Sequence, residues 1–259
     1  MFPDPRPTDQ DIFVYYPPNY NPFNPRQVTG GLARVKAFFD RRKALKVLRY
    51  VGPKEKIVDV GCSWGGFLAM LKTLGDWELS GIDTDPGSIE YARNVLKLNV
   101  RVESFEAFPE DTLYDCVIMK YTLDHLPSPA KAFEKLARII RPGGYFVLQI
   151  PNNDSWEAAI LKRYWHGWEI PRHMIYLTPQ TTAAYAKKYG FTVKEVEHEL
   201  NPNNWIWGLR YWALDHARFL VPFCDIKNPF LLAVLTPIAA LAKFFKKSGR
   251  TEYILQRNK

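Results

Sequence analysis

Cysteine is scarce in this chain of 259 residues, which holds only Cys62, Cys116 and Cys224. They lie far apart and none forms a Cys-x-x-Cys pair, so thiolate metal chemistry is not indicated. All three are expected to be free thiols in a reducing compartment. An uninterrupted apolar run long enough to span a bilayer is also missing. The N-terminus is rich in proline and acid and lacks an apolar core, so no secretory leader is expected. Acid is in deficit: 27 Asp and Glu against 35 Lys and Arg leave a net charge of +8. That surplus fits an anionic partner. It is spread through the chain, with small clusters at Arg41-Arg42-Lys43 and Lys243–Arg250, which equally describes a solvated basic face.

What is present is an ordinary globular balance, with 47 % apolar and 24 % charged residues. Aromatics reach 15 % and gather at 13–23, 156–168 and 205–223. Such clusters read either as surfaces for a planar or apolar ligand or as a thick aromatic core. Residues 1–30 carry repeated prolines, which fix φ and remove donors, so they predict an extended arm. A helix over 32–50 follows, with Leu32, Val35, Phe38, Phe39, Leu45 and Leu48 as its apolar side. Strands then alternate with helices. Strands are predicted near 56–60, 78–82, 100–103, 116–119, 145–150 and 191–196. Helices are predicted near 65–74, 86–96, 129–140 (stopped by Pro142-Gly143-Gly144) and 179–189. Alternation of this kind implies a parallel sheet covered on both faces, with ligands at the carboxyl ends of the strands. A last strand at 251–256 would form an antiparallel hairpin with the sixth and leave 201–248 as an insertion. The division is an arm and lid helix (1–45), a core (46–200), the insertion (201–248) and the final strand (249–259).

The densest signal is Ile57-Val58-Asp59-Val60-Gly61-Cys62-Ser63-Trp64-Gly65-Gly66, a strand, a glycine-rich turn and a helix start. Gly61 lets the backbone turn sharply against a ligand. A carboxylate at Asp59 is an unusual neighbour for a phosphate. It suits a ligand with a cationic end, which points to S-adenosylmethionine rather than a dinucleotide.

Further motifs follow in order: Gly81-Ile82-Asp83-Thr84-Asp85, then Tyr114-Asp115-Cys116-Val117-Ile118 leading to Leu123-Asp124-His125-Leu126, then Leu136–Gly144 ending in Arg-Pro-Gly-Gly. Over about residues 45–200 the chain resembles the class I S-adenosylmethionine-dependent methyltransferases. It departs at Ser63, where the family's loop has its middle glycine. The stretch Pro171-Arg172-His173-Met174 with Leu177-Thr178-Pro179 and Tyr189-Gly190-Phe191 resembles a branch acting on small molecules, lipids or glycans. The resemblance implies a Rossmann-like α/β fold with a seven-stranded, mostly parallel sheet. It implies S-adenosylmethionine as cofactor, with S-adenosylhomocysteine as product.

By that resemblance Asp59, Gly61, Cys62, Ser63 and Gly65 hold the methionine end. Asp83 accepts from the ribose hydroxyls with Thr84 beside it, Ser104 and Phe105 lie at the adenine, and Lys120 lies at the methyl-transfer end. Tyr121 lines the same end. Methyltransferases of base amino groups usually carry an Asn/Asp-Pro-Pro-aromatic signature there, whereas this chain has Lys120-Tyr121-Thr122-Leu123. Oxygen or carbon is therefore the expected acceptor atom, and nucleic acid is not an expected partner. A hydroxyl acceptor gains from a base titrating near working pH, and histidine is the natural choice. His173 and His125 are the candidates, with Glu169 a weaker one. Arg172, Trp168 and Tyr16 are candidates for contact with the acceptor. No metal is expected.

Residues 230–245 are apolar almost all round but too short for a span and broken by Pro237. With the lysines that follow, residues 229–247 could lie in an anionic membrane interface, cover the site or form a homodimer contact. A cytoplasmic protein, peripheral at the inner membrane face, is expected in the first case. The reading is a methyltransferase acting on an oxygen or carbon of a small molecule, lipid precursor or glycan. Its rivals are an NAD-dependent oxidoreductase, which Asp59 argues against, and a non-catalytic membrane-associated protein that keeps the fold.

Overall fold

The computed structural model describes residues 12–16 and 31–259; the rest of the expected proline-rich arm lies outside them. Its elements in chain order are α1 (Gly31–Leu48), β1 (Lys56–Val60), α2 (Gly66–Lys72), β2 (Glu78–Asp83), α3 (Pro86–Asn94), β3 (Val100–Val102), β4 (Tyr114–Lys120), α4 (Pro129–Ile139), β5 (Ile140–Pro151), α5 (Trp156–Leu161), α6 (Pro179–Lys188), β6 (Phe191–His198), α7 (Asn203–His216), α8 (Pro229–Phe244) and β7 (Arg250–Arg257). Short 3-10 turns join several of them.

The described strands form one seven-stranded sheet in the order β3-β2-β1-β4-β5-β7-β6. All neighbouring pairs are parallel except those of β7, which is antiparallel to both β5 and β6. Side chains alternate across a strand, so β1 and β4 feed two cores. Val58, Val60, Val117 and Met119 pack with Phe133 and Leu136 of α4 and Ala186 of α6. Ile57, Cys116 and Ile118 pack with Val47 of α1, Leu68 of α2 and Ile89 of α3. Burying a side chain of the size of Phe133 or Leu136 contributes about 1.5–3 kcal/mol. Helix starts follow their caps: Asp85 accepts from Ser88 N–H at 2.7 Å, and Thr178 and Thr181 form a reciprocal capping box at α6.

Three expectations change. Pro142-Gly143-Gly144 does not separate α4 from the next strand; β5 begins at Ile140 and runs through the motif, with a register irregularity opposite Tyr114 and Cys116. Gly144 lies so close to Asp115 O that a Cβ would sit 2.9 Å from it. The apolar side expected for α1 is buried only in part: Leu48 packs against the core, and the side chains of Leu32 and Val35 lie outside those described. Phe38 and Phe39 are exposed, whereas Ala44, Val47 and even Lys46 are buried, because glutamates of β6 and β7 face that ammonium. Pro237 does not end α8. Leu235 before it and Ala239 and Ala242 after it are buried, and that packing holds both halves in line.

Between β6 and β7, α7 and α8 build a small core of their own from Trp205, Ile206, Leu235 and Ala239, with Trp156 and Leu161 against it. Among the described residues no helix is long and apolar enough to cross a membrane.

Candidate functional site

A cavity of about 210 Å³ lies along the middle of β1–β3, lined by Lys56, Ser80, Asn99, Arg101 and Tyr114. The chemistry-bearing groups are elsewhere, at the carboxyl ends of β1, β2 and β4, where the sheet order reverses direction.

The turn after β1 is tied to the end of β2. The N–H groups of Gly61 and Cys62 both donate to Ile82 O, at 2.8 and 3.0 Å. Ser63 N–H donates to Asp83 Oδ2 at 2.8 Å, and Asp85 N–H to Asp83 Oδ1 at 2.9 Å. Gly61 has φ 76°, and a Cβ there would sit 2.2 Å from Thr122 Oγ1. That hydroxyl donates to Val60 O at 2.9 Å, so β1, its turn and the segment after β4 meet at one glycine. Ser63 adopts φ 49°, the left-handed conformation the missing glycine would supply. The loop therefore keeps its shape at a local backbone cost of about 1–2 kcal/mol.

Asp59 is only 3 % exposed. Among the described residues its carboxylate receives no hydrogen bond. Burial pushes its pKa up to about 7; Lys120 opposes that rise and Asp83 adds to it. Lys120 does not neutralise it, because its ammonium pairs with Glu252 at 3.1 Å and lies 4.1 Å from the centre of the Phe67 ring. Asp83 is also raised by burial, with the amides of Asp85, Ser63 and Thr84 pulling the other way. The Cys62 thiol is pushed far up by burial and by both acids, so it stays protonated. A nearly buried carboxylate that no described protein group donates to, beside a glycine turn, is a receptor for a cation.

Beyond β4 lies a second cluster. The Tyr121 phenol is driven upward by burial and donates to Glu199 at 3.4 Å. His125 has its pKa lowered to about 4 by burial, so its imidazole is neutral at pH 7, and Tyr16 Oη lies 2.6 Å from its Nδ1. His173 differs. Its Nδ1 donates to Gly167 O at 2.8 Å, while Nε2 faces Asp124 Oδ2 at 3.2 Å and Glu169 Oε2 at 3.3 Å. Burial alone would lower its pKa, but the two acids outweigh burial and the net shift is upward. Both of its nitrogens are thus engaged. Arg172 pairs with Glu169 at 3.4 Å and donates to Tyr15 O at 3.2 Å, so it ties residues 12–16 to the site. Asp124, His125 and His173 each bring one ligand atom within 4.8 Å of the others, a grouping able to hold a metal ion where the sequence suggested none.

Residues 28–196 match the model of a methyltransferase domain family. The chain belongs to that family. Among curated proteins, the chain is 32 % identical to the ubiquinone biosynthesis O-methyltransferase of Alkalilimnicola ehrlichii over 115 residues, 41 % of this chain and 46 % of that protein. With the ubiquinone biosynthesis O-methyltransferase of Pectobacterium atrosepticum it shares 29 % over 127 residues, 46 % of this chain and 52 % of that protein. The chain thus spans about half the length of these relatives. A cyclopropane synthase from Mycobacterium tuberculosis superposes with a TM-score of 0.56 at 15 % identity, over 96 % of this chain and 94 % of that one. A phosphoethanolamine N-methyltransferase from Haemonchus contortus, solved with S-adenosylhomocysteine, gives 0.57 at 15 %, over 97 % and 58 %. At these identities the likeness is one of fold.

The residues anticipated around the turn and after β4 come together at one end of the sheet. Others have surroundings of their own. Phe105 is buried in the core with the Lys135 ammonium 5.3 Å from its ring centre. Ser104 Oγ accepts from Ala107 N–H and closes the turn after β3, and Thr84 is exposed. Trp168 is packed edge-on against Trp165 and Tyr176, and its indole donates to Lys162 O at 2.7 Å. Sequence reading missed Glu199, Glu252 and Arg250. They stand at the end of β6 and the start of β7, and nothing local marks a strand residue 132 positions from Lys120 as its partner.

Proposed function

We propose that this methyltransferase uses S-adenosylmethionine to methylate a hydroxyl of a small molecule or lipid precursor. Asp59 carries the cofactor reading: it is a buried carboxylate, short of a partner, beside a turn whose amides are already ordered. A ligand ending in an ammonium group satisfies it, and a pyrophosphate does not. Asp83, with Thr84 and Ser104 beyond it, would take the nucleoside. When bound, the cofactor supplies a sulfonium methyl that needs little activation, so the protein's task is to place the acceptor and keep water out.

His125 is the group suited to take a hydroxyl proton, since it is neutral at pH 7 while both nitrogens of His173 are engaged. The Tyr16 phenol on His125 is the kind of contact a phenolic acceptor would make. His173 and Glu169 position this end of the site, and Tyr121 offers it a donor. Ubiquinone biosynthesis O-methyltransferases, the curated relatives, support an oxygen acceptor. Calorimetry tests the reading directly. S-adenosylhomocysteine should bind and NAD should not. Asp83→Ala should weaken S-adenosylhomocysteine binding by about 1.5–3 kcal/mol, the worth of a charged hydrogen bond. Unchanged affinity removes Asp83 from the site, and NAD binding alone overturns the reading.

A peripheral membrane contact through residues 229–247 is part of this proposal. Phe230, Val234, Ile238, Leu241 and Phe244 recur along one side of α8 and are exposed, the two phenylalanines by 72 % and 77 %. Lys243 and Lys247 beside them pair with Glu197 and Asp154, so the apolar face supplies most of the attraction. Flotation on anionic liposomes should fall when Phe230 and Phe244 are both changed to Ser. Equal flotation of the variant discards the contact.

A further inference from the structure

We infer that Arg250 receives a carboxylate carried by the methyl acceptor, so that the acceptor is a hydroxy acid. This rests on the reading of the end of β4 as the acceptor side. Because β7 runs antiparallel to β5, its first residue lies opposite Pro151, the last residue of β5. The antiparallel turn of one strand thus delivers a guanidinium to the ligand end of a parallel sheet. There it lies 4.9 Å from the centre of the Tyr121 ring, in the segment that leads to His125.

Arg250 is part-buried, yet among the described residues no carboxylate comes within 4 Å of it. Of the acids around it, Glu157 acts on it from beyond 4 Å, and the other three are committed to other cations. Glu199 accepts from Lys43 at 2.7 Å and also from the amide of Gln149. Glu252 lies between Lys46 and Lys120, each at 3.1 Å. Glu169 lies between Arg172 and His173, at 3.4 and 3.3 Å. Arg250 itself has no such pair among the described residues. A part-buried guanidinium still needs acceptors for its five donors, and the Tyr121 hydroxyl answers only part of that need. The planar fork matches a carboxylate with two parallel hydrogen bonds. Glu199 and Glu169 are near enough to act on Arg250 electrostatically, and they penalise a doubly charged phosphate more than a singly charged carboxylate.

The test is calorimetry on the full chain saturated with S-adenosylhomocysteine, comparing 3,4-dihydroxybenzoate with catechol. The two probes share ring and hydroxyls and differ in the carboxylate. The wild-type protein should bind the acid at least tenfold more tightly than catechol. Arg250→Met should remove that preference, and Arg250→Lys, which keeps the charge without the fork, should retain only part of it. S-adenosylhomocysteine affinity reports folding of each variant. If Arg250→Met does not fold, the lysine variant and the wild-type preference decide. No preference in the wild type, equal or absent binding of both probes with S-adenosylhomocysteine bound, or a preference that survives in the variants overturns the assignment. Failure of S-adenosylhomocysteine itself to bind is a different result, and it overturns the methyltransferase site.

Discussion

Glu252→Ala is expected to destabilise the protein by about 3–5 kcal/mol, the cost of removing one side of a buried ion pair. Glu252 is 3 % exposed and stands between two ammonium groups. Lys46, itself 8 % exposed, keeps Glu197 at 2.7 Å and Glu195 at 3.2 Å. Lys120 has no other acid within 4 Å among the described residues, so its charge is left to the buried Asp59. Two readouts therefore move together. Urea unfolding should show the loss of stability, and S-adenosylhomocysteine affinity should fall, because Asp59 acquires an internal cation in place of the ligand's. Lys243→Ala is the control. Its pair with Glu197 is about two-fifths exposed on both sides, and such pairs contribute less than about 1 kcal/mol. A Glu252→Ala protein as stable as that control would show that the network of Lys46, Lys120 and Glu252 does not hold α1 and β7 together.

Asp124→Ala is expected to cost about 3 kcal/mol, the low end of that range because His173 keeps Glu169. Its more specific effect is on pH dependence. The pKa of His173 is raised in the folded protein by Asp124 and Glu169. Its contribution to stability is thus fully present below its unfolded value of about 6.5 and is lost as pH rises through the folded value. Asp59 also has a raised pKa, at about 7, so its contribution declines over a lower window, from about pH 4 to that value. His125 and His166, both lowered to about 4, act in the opposite sense over that lower window. In the wild-type protein, stability measured by urea unfolding should fall as pH rises through the folded value of His173, and in Asp124→Ala that fall should shrink. An unchanged slope there would mean that His173 is not the titrating group.

Much of the fold is legible because its signals are local. The run Ile57–Val60 must be covered on both faces, Gly61 must follow it, and Asp85 and Ser128 sit one residue ahead of prolines that open α3 and α4. Each of these is decided by a few neighbouring residues. The errors have a different origin. Phe38 and Phe39 look like the inner face of α1 by spacing, yet Lys46 is inside, because its partners Glu195, Glu197 and Glu252 arrive from about 150 or more residues away. Pro237 looks like a break in α8 until the small core around Trp205 and Leu235 is seen to brace it.

The site divides along the same line. Asp59, Gly61 and Asp83 are placed by the ends of consecutive strands, so the sequence by itself determines the proposed cofactor end, the order of the βα units and the crevice between β1 and β4. The proposed acceptor end is decided only by tertiary structure. Burial leaves His125 neutral, whereas His173 is raised by Glu169, four residues before it, and by Asp124, which only the fold brings to it. Arg250 is an unremarked basic residue until the reversed direction of β7 brings it to Tyr121. Backbone geometry follows from near neighbours in the chain, whereas charge state and pairing follow from near neighbours in space.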